Sequence, residues 1–349
     1  MKIAALVSGG VDSSVALKIL KDQGHDITAF YLKIWLENEL SNLNSCPWKE
    51  DLSYVTAVCK QLNVPLKIVN LQKEYHNKVV SYTIAEAKAG RTPNPDILCN
   101  QFIKFGVFLD YIGTSFDKIA TGHYAQILET KNSIKLRRSP DPIKDQSYFL
   151  CNLEKNQLKR IIFPIGHLIK QDVRTLAEKF DLANKNRKDS QGICFLGKFK
   201  FKDFLKRYLG EKPGELKNFE TNKKIGIHQG HWFYTIGQRK NIRLSDGPWY
   251  VVKKDPKQNI VYVSNKYESI SEPRKSLIVT NFNWINGRQP EKKDLLIKLR
   301  HRAIPQKCFL EFFDNKAKII LSNKDQGIAS GQFAVFYDDD NCLGSAIIQ

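Results

Sequence analysis

The sequence predicts an α/β fold, a doubly wound parallel sheet followed by a small central β-rich domain and a C-terminal β-barrel. Three observations carry that prediction. Strand-like apolar runs alternate with amphipathic helical patterns through the N-terminal part. A glycine turn, Ser8-Gly9-Gly10, stands at the first crossing from strand to helix. From Ser276 onward the apolar segments are short, alternate with polar residues and are separated by turn signals.

The first strand is the run Ile3-Ala4-Ala5-Leu6-Val7. After the glycine turn, Val11, Val15 and Ile19 fall on one helical stripe. A second strand is expected over 27–34, a polar loop over 37–46, and a helix over 51–62 from the spacing of Val55, Val58, Cys59 and Leu62. Asn63-Val64-Pro65 stops that helix. A third strand over 66–71 and a helix over 73–89, ended by Gly90, come next. A helix over 101–112 and a short strand over 118–121 continue the alternation, which argues for parallel pairing through crossovers. Further helices are expected over 170–179 and 201–208. Residues 208–214 read as a hinge, with strands beyond it over 225–230 and 249–252. Barrel strands are expected over 295–299, 308–313, 317–321 and 333–337. The domains expected are therefore 1–203, 204–272 and 273–349.

Hydrophobic residues make up 42% of the 349, enough for sizeable cores. The formal net charge is +19, and the sequence pI is about 9.5. Such an excess points to a polyanionic partner, nucleic acid first, although lysine enrichment throughout the chain would also produce it. Seven cysteines are scattered without a C-x-x-C pair, so neither a zinc site nor a disulfide framework is indicated. No signal peptide, basic presequence or long apolar span is apparent. A soluble protein of a reducing compartment is expected, with no membrane partner; an organelle form is the alternative.

The chemistry concentrates in a few strings. Ser8-Gly9-Gly10-Val11-Asp12-Ser13-Ser14, between a strand and a helix, suits an anion: glycines admit it, and helix N-terminal amides bind it. The loop lacks the Lys-Ser/Thr pair of kinase-type phosphate loops and the G-x-G-x-x-G spacing of dinucleotide sites. Asp12, an acid beside phosphates, makes sense with magnesium. Leu32, near the carboxyl end of the second strand, touches an adenine or fills the core. Pro93 and Pro95 hold Asn94 extended ahead of Cys99. That cysteine, near a helix start in basic surroundings, is either an activated nucleophile with Asp96 as proton-transfer partner, or an inert buried thiol. Gly122 permits close approach to a nucleotide, and His123 faces substrate or core. Arg137, Arg138, Lys144, Asp145, Gln146 and Tyr148 form a polar segment suited to phosphate and base contacts, or to a solvated loop. Cys194 follows Gly192 in a short polar loop, where a cysteine can reach and withdraw as a sulfur carrier must.

The S-G-G-x-D-S string resembles the pyrophosphatase loop of the ATP-pyrophosphatase superfamily, whose members adenylate a carbonyl oxygen. Further strings narrow the resemblance: Gly90-Arg91-Thr92-Pro93-Asn94-Pro95, Leu98-Cys99-Asn100, Thr121-Gly122-His123-Tyr124-Ala125 and Lys144-Asp145-Gln146-Ser147-Tyr148. Asp189-Ser190-Gln191-Gly192-Ile193-Cys194-Phe195, Tyr234-Thr235-Ile236-Gly237-Gln238-Arg239 and Ser330-Gly331-Gln332 complete the set. In this order the chain resembles, over nearly its whole length, the bacterial and organellar tRNA 2-thiouridylases, which put sulfur on C2 of the wobble uridine.

The resemblance implies an adenine-nucleotide α-hydrolase-like sheet, a sulfurtransferase activity, ATP and Mg2+ as cofactors, and a cytoplasmic enzyme. It implies tRNA as one partner and a persulfide-donating sulfur-relay protein or cysteine desulfurase as another. Its ATP site falls on Leu6, Val7, Ser8, Gly9, Gly10, Val11, Asp12, Ser13, Leu32 and Gly122. Its target-base contacts fall on Asn94, Pro95 and Asp96. Its tRNA contacts fall on His123, Lys144, Asp145, Gln146, Arg300, His301 and Gln332. Cys99 takes the nucleophile's place and Cys194 the persulfide carrier's, with a transient disulfide between them. Three departures stand out. Leu6-Val7 replace a glycine and a small or methionine residue, Leu32 replaces a methionine, and Asp96 stands where some relatives carry a third cysteine. No iron–sulfur cluster is therefore expected. The rival expectation is another nucleotide- or RNA-modifying ligase with the same loop.

Overall fold

The computed structural model describes residues 1–34, 47–131, 133–189, 200–242, 244–266, 274–325 and 328–349. The chain runs β1 (Lys2–Leu6), α1 (Val11–Asp22), β2 (Asp26–Lys33), α2 (Pro47–Gln61) and β3 (Leu66–Asn70). Two longer helical runs follow, α3 over 72–88 and α4 over 95–112, and then β4 (Lys118–Ala120). A hairpin of β5 (Ala125–Glu129) and β6 (Ile134–Arg138) precedes β7 (Ile161–Ile162) and α5 (Lys170–Lys179). The loop expected over 37–46 and Cys194 both lie outside the described residues.

Five strands form a wholly parallel sheet in the order β3-β2-β1-β4-β7. Alternate residues of β1 enter opposite cores, as strand geometry requires. Ile3 and Ala5 pack with Val15 of α1, Val58 of α2 and Val173 of α5. Ala4 packs with Val79 of α3 and with Ile103 and Phe108 of α4. Strand order reverses between β1 and β4, so a crevice opens beyond their carboxyl ends, where doubly wound sheets bind ligands.

Both long runs contain widened turns that the apolar spacing does not announce. The run α3 is π-helical over His76–Val80, and α4 is π-helical over Cys99–Val107. In α4 a Cβ on Gly106 would lie 2.9 Å from the Gln101 carbonyl oxygen. Gln157 donates to the carbonyls of Gln101 (3.1 Å) and Phe105 (2.6 Å), satisfying acceptors of the widened ladder. The helix also starts earlier than expected, at Pro95 rather than residue 101. Proline lacks the amide that a first helical residue leaves unused, and its φ is already helical.

After α6 (Phe201–Leu209), the strands β8 (Gly214–Asn218), β9 (Lys224–His228), β10 (Tyr250–Asp255) and β11 (Ile260–Ser264) form a sheet in the order β10-β11-β8-β9. The strands β8 and β11 are absent from the sequence expectations. Six more strands, β12 (Arg274–Trp284), β13 (Asp294–Lys298), β14 (Gln306–Phe313), β15 (Lys316–Asp325), β16 (Phe333–Asp338) and β17 (Asn341–Ile348), make a barrel closed by β12 on β17. β17 also pairs with β6, so the N-terminal hairpin extends the barrel's own sheet. None of the described helices is long and apolar enough to cross a membrane.

One charged residue fastens this junction. Asp145 accepts from the Ser147 hydroxyl (2.8 Å) and from the amides of Ser147 (3.2 Å) and Ser139 (3.3 Å). Arg138 (3.3 Å) and the buried Lys298 of β13 (3.4 Å) complete its shell. Burial pushes the Lys298 ammonium below its ordinary range, and Asp145 opposes that fall.

The central sheet carries an acid-sensitive residue. Buried His228 accepts the Gly230 amide at Nδ1 (3.0 Å) and donates from Nε2 to the Asn259 carbonyl (3.1 Å), an arrangement that requires the neutral ring. Burial lowers its pKa from 6.5 to about 4. Between those values the unfolded chain binds a proton that the folded chain refuses. The stabilisation is therefore complete above pH 6.5 and falls as pH drops towards 4, by at most about 1.4 kcal/mol per pH unit. Urea unfolding across this range should show that slope reduced in His228→Gln relative to the unsubstituted protein.

Candidate active site

The crevice begins where β1 ends. Leu6 closes the strand, and the buried Val7 donates its amide to the Phe30 carbonyl of β2 (3.0 Å). Gly9 takes φ +77, and Gly10 caps α1 in an extended conformation. The loop carbonyls are held from within. Ser13 and Ser14 donate their hydroxyls to Gly10 (2.9 and 3.2 Å), while Asn184 donates to Gly9 (2.7 Å). A helix start leaves its first-turn amides without intrahelical acceptors, and α1 begins at this crevice. Gly122, just beyond β4, lies against this turn: a Cβ there would stand 2.7 Å from the Ser13 nitrogen and 2.8 Å from the Asp12 carbonyl carbon. Leu32 sits half-buried near the end of β2, packed on the core.

Charge is organised around Asp12. Its Oδ1 accepts the Tyr124 hydroxyl (2.9 Å) and the Lys170 ammonium (2.6 Å). Lys170 also reaches Asp189 (2.9 Å), which Lys144 (2.6 Å) and Arg174 meet as well. Burial disfavours the Asp189 charge, yet Lys144 and Lys170 outweigh it and hold the carboxyl well below its ordinary range. Five residues here, Tyr124, Lys170, Arg174, Asn184 and Asp189, are not among the site residues expected from the sequence. The available signal was Lys170 and Arg174 at i, i+4, which puts both cations on one face of α5. Among the described residues no group of three or more His, Cys, Asp or Glu could hold a metal ion.

A second group surrounds Cys99. Asn94 is the cap before Pro95, and Asp96 lies in the first turn of α4. Cys99 stands one turn further in, 1% exposed, in the core shared with Phe105 and Tyr148. The histidine after Gly122 links the two groups: the His123 ring lies 6.1 Å from that of Phe105 on α4, and its Nδ1 shares a 2.6 Å hydrogen bond with Thr121. Burial, then Lys104, holds this imidazole well below its ordinary pKa, so it is neutral.

The residues expected to meet RNA are dispersed. Lys144 turns its ammonium to Asp189, and Gln146 accepts the Tyr124 amide (2.9 Å). The Asp145 side chain is committed to the barrel junction. His301 lies tilted against the Phe149 ring (4.4 Å) and donates to the Asp145 carbonyl (2.9 Å), while Arg300 is exposed with Asp325 3.5 Å away. Gln332 donates into the loop ahead of Asn94. The fold thus joins Lys144 to the cradle, Gln332 to the Cys99 loop, and His301 to Asp145. Gly122→Ala should force backbone to move at the start of α1. A loss of about 1–3 kcal/mol is expected in chemical denaturation, as for other overpacked interiors.

All three parts of the chain match known families. Residues 1–198 match the tRNA methyl transferase HUP domain, 202–265 the tRNA methyl transferase PRC-barrel domain, and 274–348 the aminomethyltransferase beta-barrel domain. A tRNA-specific 2-thiouridylase MnmA of Parabacteroides distasonis is 45% identical over 354 residues, covering 100% of this chain and 99% of that one. Similar enzymes of Bacteroides fragilis (44%; 100% of both chains) and Porphyromonas gingivalis (42%; 100% of this chain, 99% of that one) also match. A solved 4-thiouridine synthetase–RNA complex with bound ATP aligns over 57% of this chain and 46% of that one, at 18% identity and TM-score 0.34, too distant to add weight. Agreement at these identities from end to end places the chain in the tRNA-specific 2-thiouridylase family.

Proposed function

We propose that the protein is a tRNA sulfurtransferase that thiolates C2 of the wobble uridine, with ATP as the activating co-substrate and a cysteine persulfide as the sulfur source. The single observation that carries the reading is the cradle: an α1 N-terminus opened by Gly9 and Gly10, with Gly122 laid bare against it. A triphosphate suits such a surface, because amide donors and a helix dipole receive it, and the Arg187 guanidinium, close against Gly9, adds positive charge. Leu32 and the residues 6–13 would line the nucleotide. Asp12, in the first turn of α1, would offer magnesium a carboxylate, with the ion's remaining ligands coming from phosphate and water. That ion would supply charge neutralisation on the departing pyrophosphate.

The uridine must leave its stack to enter the crevice. Asn94, Pro95 and Asp96 receive it. Its C2 oxygen attacks the α-phosphorus, pyrophosphate departs, and Asp96 takes the N3 proton. The terminal sulfur of a Cys194 persulfide then adds to C2. The Cys99 thiolate attacks the Cys194 sulfur, and the bond to the transferred sulfur breaks. Its electron pair forms the C2–S double bond as AMP leaves, and N3 regains its proton. A Cys99–Cys194 disulfide remains, which a cellular thiol reduces before a persulfide-donating relay protein or desulfurase reloads Cys194. His123, Lys144, Arg300 and His301 meet the tRNA directly; Asp145 and Gln146 serve it by fixing their neighbours. Cytoplasmic tRNA is the natural substrate pool.

Two experiments test the scheme. Mass spectrometry of nucleosides from tRNA incubated with protein, ATP, magnesium and a persulfide donor should find 2-thiouridine. Cys99→Ala and Cys194→Ala should each abolish it while tRNA binding persists; robust product from either variant refutes the sulfur steps. Asp12→Ala should lower tRNA-dependent pyrophosphate release by at least about a hundredfold, the scale of losing one preorganised charge contact. Unchanged release would remove Asp12 from the activation step.

A further inference from the structure

The barrel turn Ser330-Gly331-Gln332 reaches into the N-terminal domain and grips the loop that precedes Cys99. The Thr92 amide donates to the Ser330 carbonyl (2.8 Å). Gln332 Nε2 donates to the carbonyls of Thr92 (3.1 Å) and Pro93 (3.2 Å). Gly331 has φ +87, and a Cβ on it would lie 2.8 Å from the Arg91 Cβ and 3.1 Å from the Thr92 nitrogen. The turn is itself braced by β17: Gly331 donates to Ile348 and Ile348 to Gln332, each at 2.9 Å. On the other flank Arg91 grips Glu86 of α3 with two hydrogen bonds, one of 2.6 Å.

The gripped loop is held again at Asn94, whose side chain bonds Tyr148. Pro93 and Pro95 have no amide hydrogens, so at those two positions only a carbonyl can hold a neighbour, and Gln332 takes that of Pro93. The same prolines restrict the backbone, and Pro95 opens α4, which carries Cys99 one turn later. Displacement of Thr92 therefore reaches Asn94 and Cys99 with little slack between.

We propose that the turn 330–332 positions the base-accepting loop and Cys99, so that Gln332 is a positioning residue and the barrel completes the active site. The proposal rests on the reading that Asn94–Asp96 receive the uridine and Cys99 is the nucleophile. Four full-length proteins test it: the unsubstituted chain, Gly331→Ala, Gln332→Ala and Gln332→Glu, whose carboxylate keeps the size but cannot donate. Three quantities are measured: single-turnover thiolation, tRNA affinity, and the rate at which iodoacetamide alkylates Cys99. Each substitution should slow thiolation about tenfold to a hundredfold, with tRNA affinity changed less than about twofold, as expected when reacting groups are misplaced rather than lost. Alkylation of Cys99 should accelerate as its loop loosens. The proposal falls if Gln332→Ala weakens tRNA binding while Gly331→Ala leaves thiolation and alkylation unchanged, since Gln332 is then an RNA contact only. It falls also if all variants match the unsubstituted chain. Should Gly331→Ala fail to fold, the near-isosteric Gln332→Glu decides. If Cys99→Ala still thiolates, the underlying reading fails instead, and that outcome is separate from the variant results.

Discussion

The crevice depends on a close approach between two backbones, the segment after β4 and the first turn of α1. Only a residue without a side chain fits there, and Gly122 supplies it. That contact does more than save space. It sends His123 towards Phe105 of α4 and Tyr124 onto Asp12. The helix N-terminus would otherwise present a bare positive end with an acid beside it. Tyr124 and Lys170 fix that acid's orientation, and Lys170 shares its charge with Asp189. Asp189 is the last described residue before the segment containing Cys194.

The barrel is tied to the catalytic sheet by means that specify geometry more than they add stability. A buried pair such as Lys298–Asp145 recovers much of its desolvation cost but seldom exceeds it. What it supplies is orientation: five donors converge on two carboxylate oxygens, so the hairpin, the segment around Ser147 and β13 have one common arrangement. The β6–β17 pairing and the Tyr148 bond to the Phe333 carbonyl (3.0 Å) act in the same direction. A barrel fixed this firmly can serve as a template for the loop ahead of Cys99, and Arg300 and His301 project from it near the same junction.

Much of this was legible in the residues themselves. Local patterns fixed the parallel sheet, the cradle and the barrel, because a strand, a glycine turn and a helix start are each decided within a few positions. The early start of α4 is readable from Pro95, a favoured first helical residue, although the apolar spacing becomes regular only after Cys99. The π-helical turn of α4 is not readable locally, because its freed carbonyls are met by an outside donor, Gln157, some fifty residues away. The strands β8 and β11 escaped for a related reason: their pairing partners, not their own short patterns, define them.

The amino-acid sequence by itself determined which chemistry is present: an anion loop with an acid in it, a proline-framed segment leading to one cysteine, a second cysteine beside glycine, and a basic surface. Those are properties of residue type and short spacing. Only the tertiary structure decided how they are connected. Lys170 meets Asp12 across 158 positions, Asn184 holds Gly9 across 175, and Gln332 holds Pro93 across 239. Contacts of such separation follow from how the sheet, its helices and the barrel pack together, and no local pattern encodes them.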